Sequence, residues 1–140
     1  MDYVQAAKWY RKAADQGHAM AQCNLGCIYE NGQGVPQDYI EAMKWYNKAA
    51  AQGDAIAENN IGVLYHDGLG VATDYTEAIK WYRKAAARGY SMAENNIGVM
   101  YHNGLGVSRD YDKAIEWYRK AAAKGETLAQ NNLNKIFSGD

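Results

Sequence analysis

The chain has 140 residues, 48% of them hydrophobic, a formal charge of −1 and a pI near 6.3. That balance argues against a protein built to neutralise a phosphate backbone, so nucleic acid is set aside as a partner. No run of about 18 apolar residues exists, so no segment is expected to insert in a membrane. The start shows neither a basic segment nor an apolar core of leader type, so no secretory leader is expected.

The first predicted helix opens at Asp2, and the letters that follow it return at intervals of 36 residues: Trp9, Trp45, Trp81 and Trp117, or Gly17, Gly53, Gly89 and Gly125. A fixed period in the range of roughly 20–50 residues marks stacked supersecondary units that touch only their neighbours. The chain therefore reads as a single repeat domain, 1–140, with units at 2–37, 38–73, 74–109 and 110–140. The last unit is incomplete or capping.

Each unit begins on Asp2, Asp38, Asp74 or Asp110, a residue whose carboxylate accepts from the free N–H groups of a first helical turn. Asp38 with Glu41 and Asp74 with Glu77 have capping-box spacing; Lys113 breaks it in the last unit. On a helical wheel Tyr39, Ala42, Met43, Trp45, Tyr46, Ala49 and Ala50 form one broad apolar arc, with Ile40, Glu41, Lys44, Asn47 and Lys48 opposite. Gly53 and its equivalents supply the left-handed residue that stops this helix.

The second helix, predicted over roughly 55–66, is apolar around much of its circumference and must be covered on more than one side. Gly26, Gly62 and Gly98 recur inside it at a cost of about 1 kcal/mol against Ala, which points to close helix approach. Asn24, Asn60, Asn96 and Asn132 also recur, and are expected to satisfy backbone groups at a helix junction. Gly68-Leu69-Gly70-Val71, with its copies at 104–107 and 32–35, links helix to helix and follows no strand, so it is a connector and not a phosphate cradle. Asn134 and Phe137 stand where earlier units have Gly98 and Tyr101, as suits a terminal helix with no repeat after it.

Chemistry-bearing clusters are sparse. Cys23 and Cys27 sit four apart in one helix, a poor spacing for a disulfide whose Cβ atoms must approach to about 3.8 Å, and read as two small hydrophobes. His66 and His102 end second helices, where the helix dipole favours a cation. Ser91, Ser108 and Ser138 lie in no nucleophile motif. No catalytic constellation, metal site or cofactor is expected.

Charge is more informative. Of the 15 Lys and Arg residues, 11 lie on first helices: Lys8, Arg11, Lys12, Lys44, Lys48, Lys80, Arg83, Lys84, Lys113, Arg119 and Lys120. Lys12, Lys48, Lys84 and Lys120 also gain from the negative end of the helix dipole.

The string Ala42-x-x-Trp45-Tyr46-x-x-Ala49-Ala50-x-x-Gly53, continued by Ala57-x-x-Asn60-x-Gly62-x-x-Tyr65-x-x-Gly68-x-Gly70-Val71-x-x-Asp74, resembles the Sel1-like repeat family, relatives of tetratricopeptide repeats, over essentially the whole chain. The resemblance implies an all-α fold, a right-handed α/α superhelix of antiparallel helix pairs in about four 36-residue repeats, with first helices lining a concave face. It also implies an adaptor or scaffold for protein complexes, of the kind met in bacterial envelope, secretion, signalling and host-interaction settings. A cysteine-rich branch has been described as binding or hydrolysing β-lactams, but carries a cysteine pair bridging the two helices of each repeat, which this chain lacks. Repeats two and three are nearly interchangeable, as recent duplication or a consensus-style design each produces; a purely structural stacking unit is the remaining alternative.

The resulting expectation is a non-enzymatic module whose groove takes a protein or peptide segment, acidic in character. Lys44, Asn47, Lys80, Arg83, Glu116 and Arg119 are its specificity positions, because they project from the polar side of the first helices and vary between copies. In solution the chain is expected to be a monomer or to associate weakly end to end.

Overall fold

The computed structural model of the protein describes residues 2–139. Its described residues form eight α-helices and no strand: α1 (Tyr3–Asp15), α2 (Ala19–Asn31), α3 (Tyr39–Ala51), α4 (Ala55–Asp67), α5 (Tyr75–Ala87), α6 (Ser91–Asn103), α7 (Tyr111–Ala122) and α8 (Thr127–Ser138). None of them is long and apolar enough to cross a membrane.

Local sequence sets the boundaries of these helices. Asp2, Asp38, Asp74 and Asp110 each cap a first helix, accepting through the carboxylate from the backbone N–H three residues on. The reciprocal half of the capping box does not form. The Asp38 amide donates instead to Tyr29 O at 2.9 Å, and Asp74 and Asp110 donate likewise to Tyr65 O and Tyr101 O. Each cap is thus tied to the end of the preceding second helix. Glu41 and Glu77, relieved of that task, pair with Lys44 and Lys80. After each first helix the glycine has positive φ, +85° at Gly53 for example, where a side chain would be strained.

The core is built at the junctions between repeats. The tightest packing joins each second helix to the first helix that follows it, α2 with α3, α4 with α5 and α6 with α7. Alanines line these contacts: Ala42, Ala49, Ala57, Ala78, Ala85, Ala93, Ala114, Ala121 and Ala129 are all fully enclosed. Small side chains let backbones approach, and the recurring glycines carry this furthest. A Cβ on Gly62 would lie 2.6 Å from the Tyr82 ring and 3.1 Å from Ala78 O, so a tyrosine lies flat on the bare backbone of the previous repeat. Gly26 against Tyr46 and Gly98 against Tyr118 repeat the arrangement. The connector glycines work differently: Gly70 rests on the backbone of Tyr39, and Gly34 and Gly106 on Tyr3 and Tyr75, folding each loop onto the opening turn of its own repeat.

The recurring asparagines do not satisfy backbone groups as expected. Asn96 Nδ2 donates to Asn59 Oδ1 at 3.0 Å and Asn132 Nδ2 to Asn95 Oδ1 at 2.9 Å. They form a side-chain ladder between repeats, because the backbone groups of these long helices are already used in the helices themselves. At the first junction the acceptor is sulfur, Asn60 Nδ2 lying 3.7 Å from Cys27 Sγ.

Candidate functional site: the first-helix face

Each first helix packs most closely on the second helix before it, and meets the first helix beside it mainly through its tryptophan, as Trp45 meets Ala14 of α1. This stacking order leaves clefts. The cleft between α3 and α5 holds about 720 Å³ and is lined by Asn47, Ala50, Ala51, Glu58, Trp81, Lys84, Ala87 and Arg88. Another, of about 450 Å³, lies against α1, with Leu25, Tyr29 and Val35 as apolar lining and Lys8, Arg11 and Lys12 as cations.

The cations are placed by aromatic rings. Lys84 Nζ stands 4.1 Å from the centroid of Trp81, Lys48 Nζ 4.5 Å from Trp45 and Lys120 Nζ 5.0 Å from Trp117. A Trp and a Lys three residues apart share one helical face, so each repeat builds a cation–π pair from its own sequence. The pairs recur on successive first helices, and at Trp81 and Trp117, both half-buried, the ring keeps an apolar surface beside its cation.

The six positions expected to set specificity are distributed along this face and do not converge. Asn47 lines the α3/α5 cleft and donates to Met43 O at 3.0 Å. Lys44 and Lys80 are exposed and paired one turn back, at 3.6 Å from Glu41 and 3.5 Å from Glu77. Arg83 donates to the Tyr101 hydroxyl at 3.0 Å, and Arg119 lies 5.7 Å from the Phe137 ring. Both arginines therefore brace their own helix pair as well as projecting outward. Glu116 is exposed on α7. Trp81, Lys84 and Arg88 lie outside those six positions, because on a helical wheel the Trp falls in the apolar arc and Lys84 at the negative end of the helix dipole. The recurring Trp-x-x-Lys spacing was the available signal.

The cleft wall carries a second line of charge. Arg88 Nε donates to Glu58 Oε1 at 2.8 Å, the Glu58 side chain being 3% exposed. That carboxylate raises the Arg88 guanidinium above its ordinary value. Lys124 Nζ lies 2.8 Å from Glu94 Oε2, a fully buried carboxylate. The same place at the first junction holds two amides, Gln52 Nε2 donating to Gln22 Oε1 at 2.9 Å and to Gly17 O at 2.8 Å. These contacts lock the C-terminal end of each first helix onto the previous repeat, fixing the cleft walls.

The remaining polar groups belong to junctions. The Tyr46 hydroxyl donates to Glu30 Oε1 at 2.6 Å and lies 3.3 Å from Cys27 Sγ. Cys23, donating to Cys27 and buried, is pushed well above the ordinary thiol range, while Cys27, accepting that bond and lying beside the Tyr46 hydroxyl, is lowered to about 7. His66 Nδ1 lies 2.7 Å from Asp67 Oδ1, and His102 Nδ1 lies 3.3 Å from the Tyr118 hydroxyl.

The Sel1 repeat family model matches residues 2–18, 19–54, 55–90 and 91–126. Its frame runs from a second helix to the next first helix, which is the pairing that packs most tightly here. Among solved structures, the chain is similar to a protective antigen of uropathogenic Escherichia coli strains displaying an SLR fold. The two are 47% identical, with a TM-score of 0.91 over 98% of this chain and 29% of the other. It is also similar to a Sel1 repeat protein from Oxalobacter formigenes, at 46% identity and a TM-score of 0.90 over 96% of this chain and 55% of that one. The chain thus spans well under two thirds of either relative. Cysteine-rich protein B of Helicobacter pylori shares the fold, at 20% identity and a TM-score of 0.71 over 89% of this chain and 95% of the other. None of the curated proteins matches the chain. With four matched repeats and a helical solenoid of the same shape, the chain belongs to the Sel1 repeat family.

Proposed function

We propose that the protein is a non-enzymatic interaction module that holds an extended, acidic protein segment along its first-helix face. The carrying observation is the cleft between α3 and α5, where Trp81 offers an apolar surface and Lys84 offers charge, with Arg88 held at the wall by Glu58. An aromatic with a cation over it suits a segment that alternates apolar and carboxylate side chains, since the ring supplies area and the ammonium supplies selectivity. Asn47, Lys80 and Arg83 border that route; the other repeats have arginine where Asn47 stands, and the last repeat has Glu116 where Lys80 stands, so specificity can be written there without disturbing the stack.

The test is peptide binding by fluorescence anisotropy with an acidic library and its charge-reversed counterpart. Acidic peptides should bind, and binding should weaken as salt shortens the range of the charge interactions. The variants K80E/R83E and K84E should lose affinity by about tenfold or more, at unchanged helicity, as expected for charge reversal near a binding cleft. Equal binding by wild type and both variants would remove the first-helix face as the site.

A further inference from the structure

The three internal junctions share one lock, and the two ends of the array carry unequal halves of it. On the outgoing side of each junction a second helix offers bare glycine, Gly26, Gly62 or Gly98, followed by Cys27, Val63 or Val99. On the incoming side the next first helix offers a tyrosine whose ring a Cβ at the glycine would strike, at 2.5 Å for Gly26 and Gly98 and 2.6 Å for Gly62. The residue after the glycine joins the next repeat's core: Cys27 packs with Ala42 and Tyr46, Val63 with Ala78 and Tyr82, Val99 with Ala114 and Tyr118.

The first repeat keeps the incoming half. Tyr10 is half-buried, and Trp9 is 70% exposed where Trp45, its counterpart at the first junction, is 3% exposed. The outgoing half is altered at α8, where Asn134 and Lys135 occupy the places of glycine and valine and both are exposed. Gln130, at the place of Gln22, Glu58 and Glu94, which receive the following repeat's side chain, donates instead within its own helix to Asn134 Oδ1 at 3.1 Å. A Cβ at 134 meets the space an incoming tyrosine ring needs, and Lys135 would have to leave water in an apolar contact, which is costly without a partner.

We propose that Asn134 and Lys135 close the α8 end against further stacking. The α1 face then accepts a helix pair of this repeat type that carries glycine and an apolar residue at those two places, and refuses a second copy of the chain itself. The feature extends an interface already built three times in the molecule, and it replaces end-to-end contact between copies with a polarity: α1 carries the incoming half of the lock and α8 lacks the outgoing half.

The test uses the chain's own α8 face as the probe. Sedimentation velocity across a wide concentration range is run on wild type, N134G/K135V, N134A/K135V and N134G/K135V/W9E, with helicity checked for each. Wild type should stay at its 15.6 kDa monomer mass. N134G/K135V should at least double in mass as concentration rises. N134A/K135V should stay monomeric, because one Cβ is enough to meet the Tyr10 ring, and W9E should return the glycine variant to monomer. Wild type associating in a Trp9-dependent way would overturn the proposal, as would a helical N134G/K135V that stays monomeric. Should N134G/K135V lose helicity, N134A/K135V and the added single variant K135V decide: association of either refutes the steric role of position 134, and monomer in both upholds it.

Discussion

The first junction between repeats and the two that follow it use one backbone arrangement with different chemistry. At the first, Gln52 meets Gln22 and Asn60 meets the Cys27 sulfur. At the second and third, Arg88 meets Glu58, Lys124 meets Glu94, and asparagine meets asparagine. The apolar part differs in the other direction. Trp45 is 3% exposed and sealed among Ala14, Ala21 and Leu25, while Trp81 and Trp117 remain half-buried. Trp45 is so enclosed that its Nε1 has no hydrogen-bond partner among the described residues. The first junction is held by burial and the later two by buried carboxylates with external cations. What all three share is glycine beneath tyrosine, which identifies that contact as the geometric requirement and the polar pairs as replaceable.

The largest test of this contrast is at tryptophan. Trp45→Ala should destabilise by about 3–5 kcal/mol, the usual range for emptying a buried aromatic site. Trp9→Ala, at the same place in the template but exposed, should stay within about 0.5 kcal/mol. Urea denaturation of the two variants measures the difference, and equal effects would show that the template letter, and not its burial, sets the energy.

Next comes the polar rung. Lys124→Met leaves Glu94 buried with Lys120, at 3.9 Å, as its remaining cation. One Glu94 oxygen already lacks a partner. The expected loss is about 1–3 kcal/mol. Gln52→Met orphans only neutral amides and should cost about 1 kcal/mol or less. Thermal melts at low and high salt would separate them further, since the ionic rung should weaken with salt and the amide rung should not.

Alkaline pH should act on the glycine–tyrosine lock itself. Burial raises the Tyr118 phenol from 10.0 to about 12 and pushes Tyr46 and Tyr82 higher still. The unfolded chain therefore loses these protons first, so stability is intact below pH 10 and falls as pH rises through 10 to 12. Tyr118→Phe should flatten part of that decline in a pH series of denaturation curves. A smaller effect separates the thiols: iodoacetamide should modify Cys27, half-buried and lowered to about 7, well before buried Cys23. Mass spectrometry of the digested adduct reads this directly.

Much of the stack was legible in the sequence because period, cap and breaker are local signals. Trp at 36-residue intervals, Asp before each first helix and Gly after it mark the elements almost to the residue. The role of Gly62 was also legible, since a glycine recurring inside a helix needs a close neighbour. What could not be read is which groups meet across a junction. The Asp38 amide goes to Tyr29 O because the previous helix ends beside it, and no spacing within one repeat shows that. The Asn60 and Asn96 partners lie in another repeat, so recurrence revealed a role without its chemistry. The α3/α5 cleft exists because each first helix packs most closely on the second helix before it, a property of the stacking order and not of any single helix.

The most direct measurement is an NMR titration of the labelled protein with an acidic peptide selected by anisotropy. The central claim is that recurring residues hold the stack while the first-helix face meets the partner. It predicts shifts concentrated at Asn47, the Trp81 indole, Arg83 and Lys84, with the Asn59–Asn96 and Asn95–Asn132 pairs undisturbed. Shifts confined to the second helices, with the Trp81 indole unmoved, would contradict it.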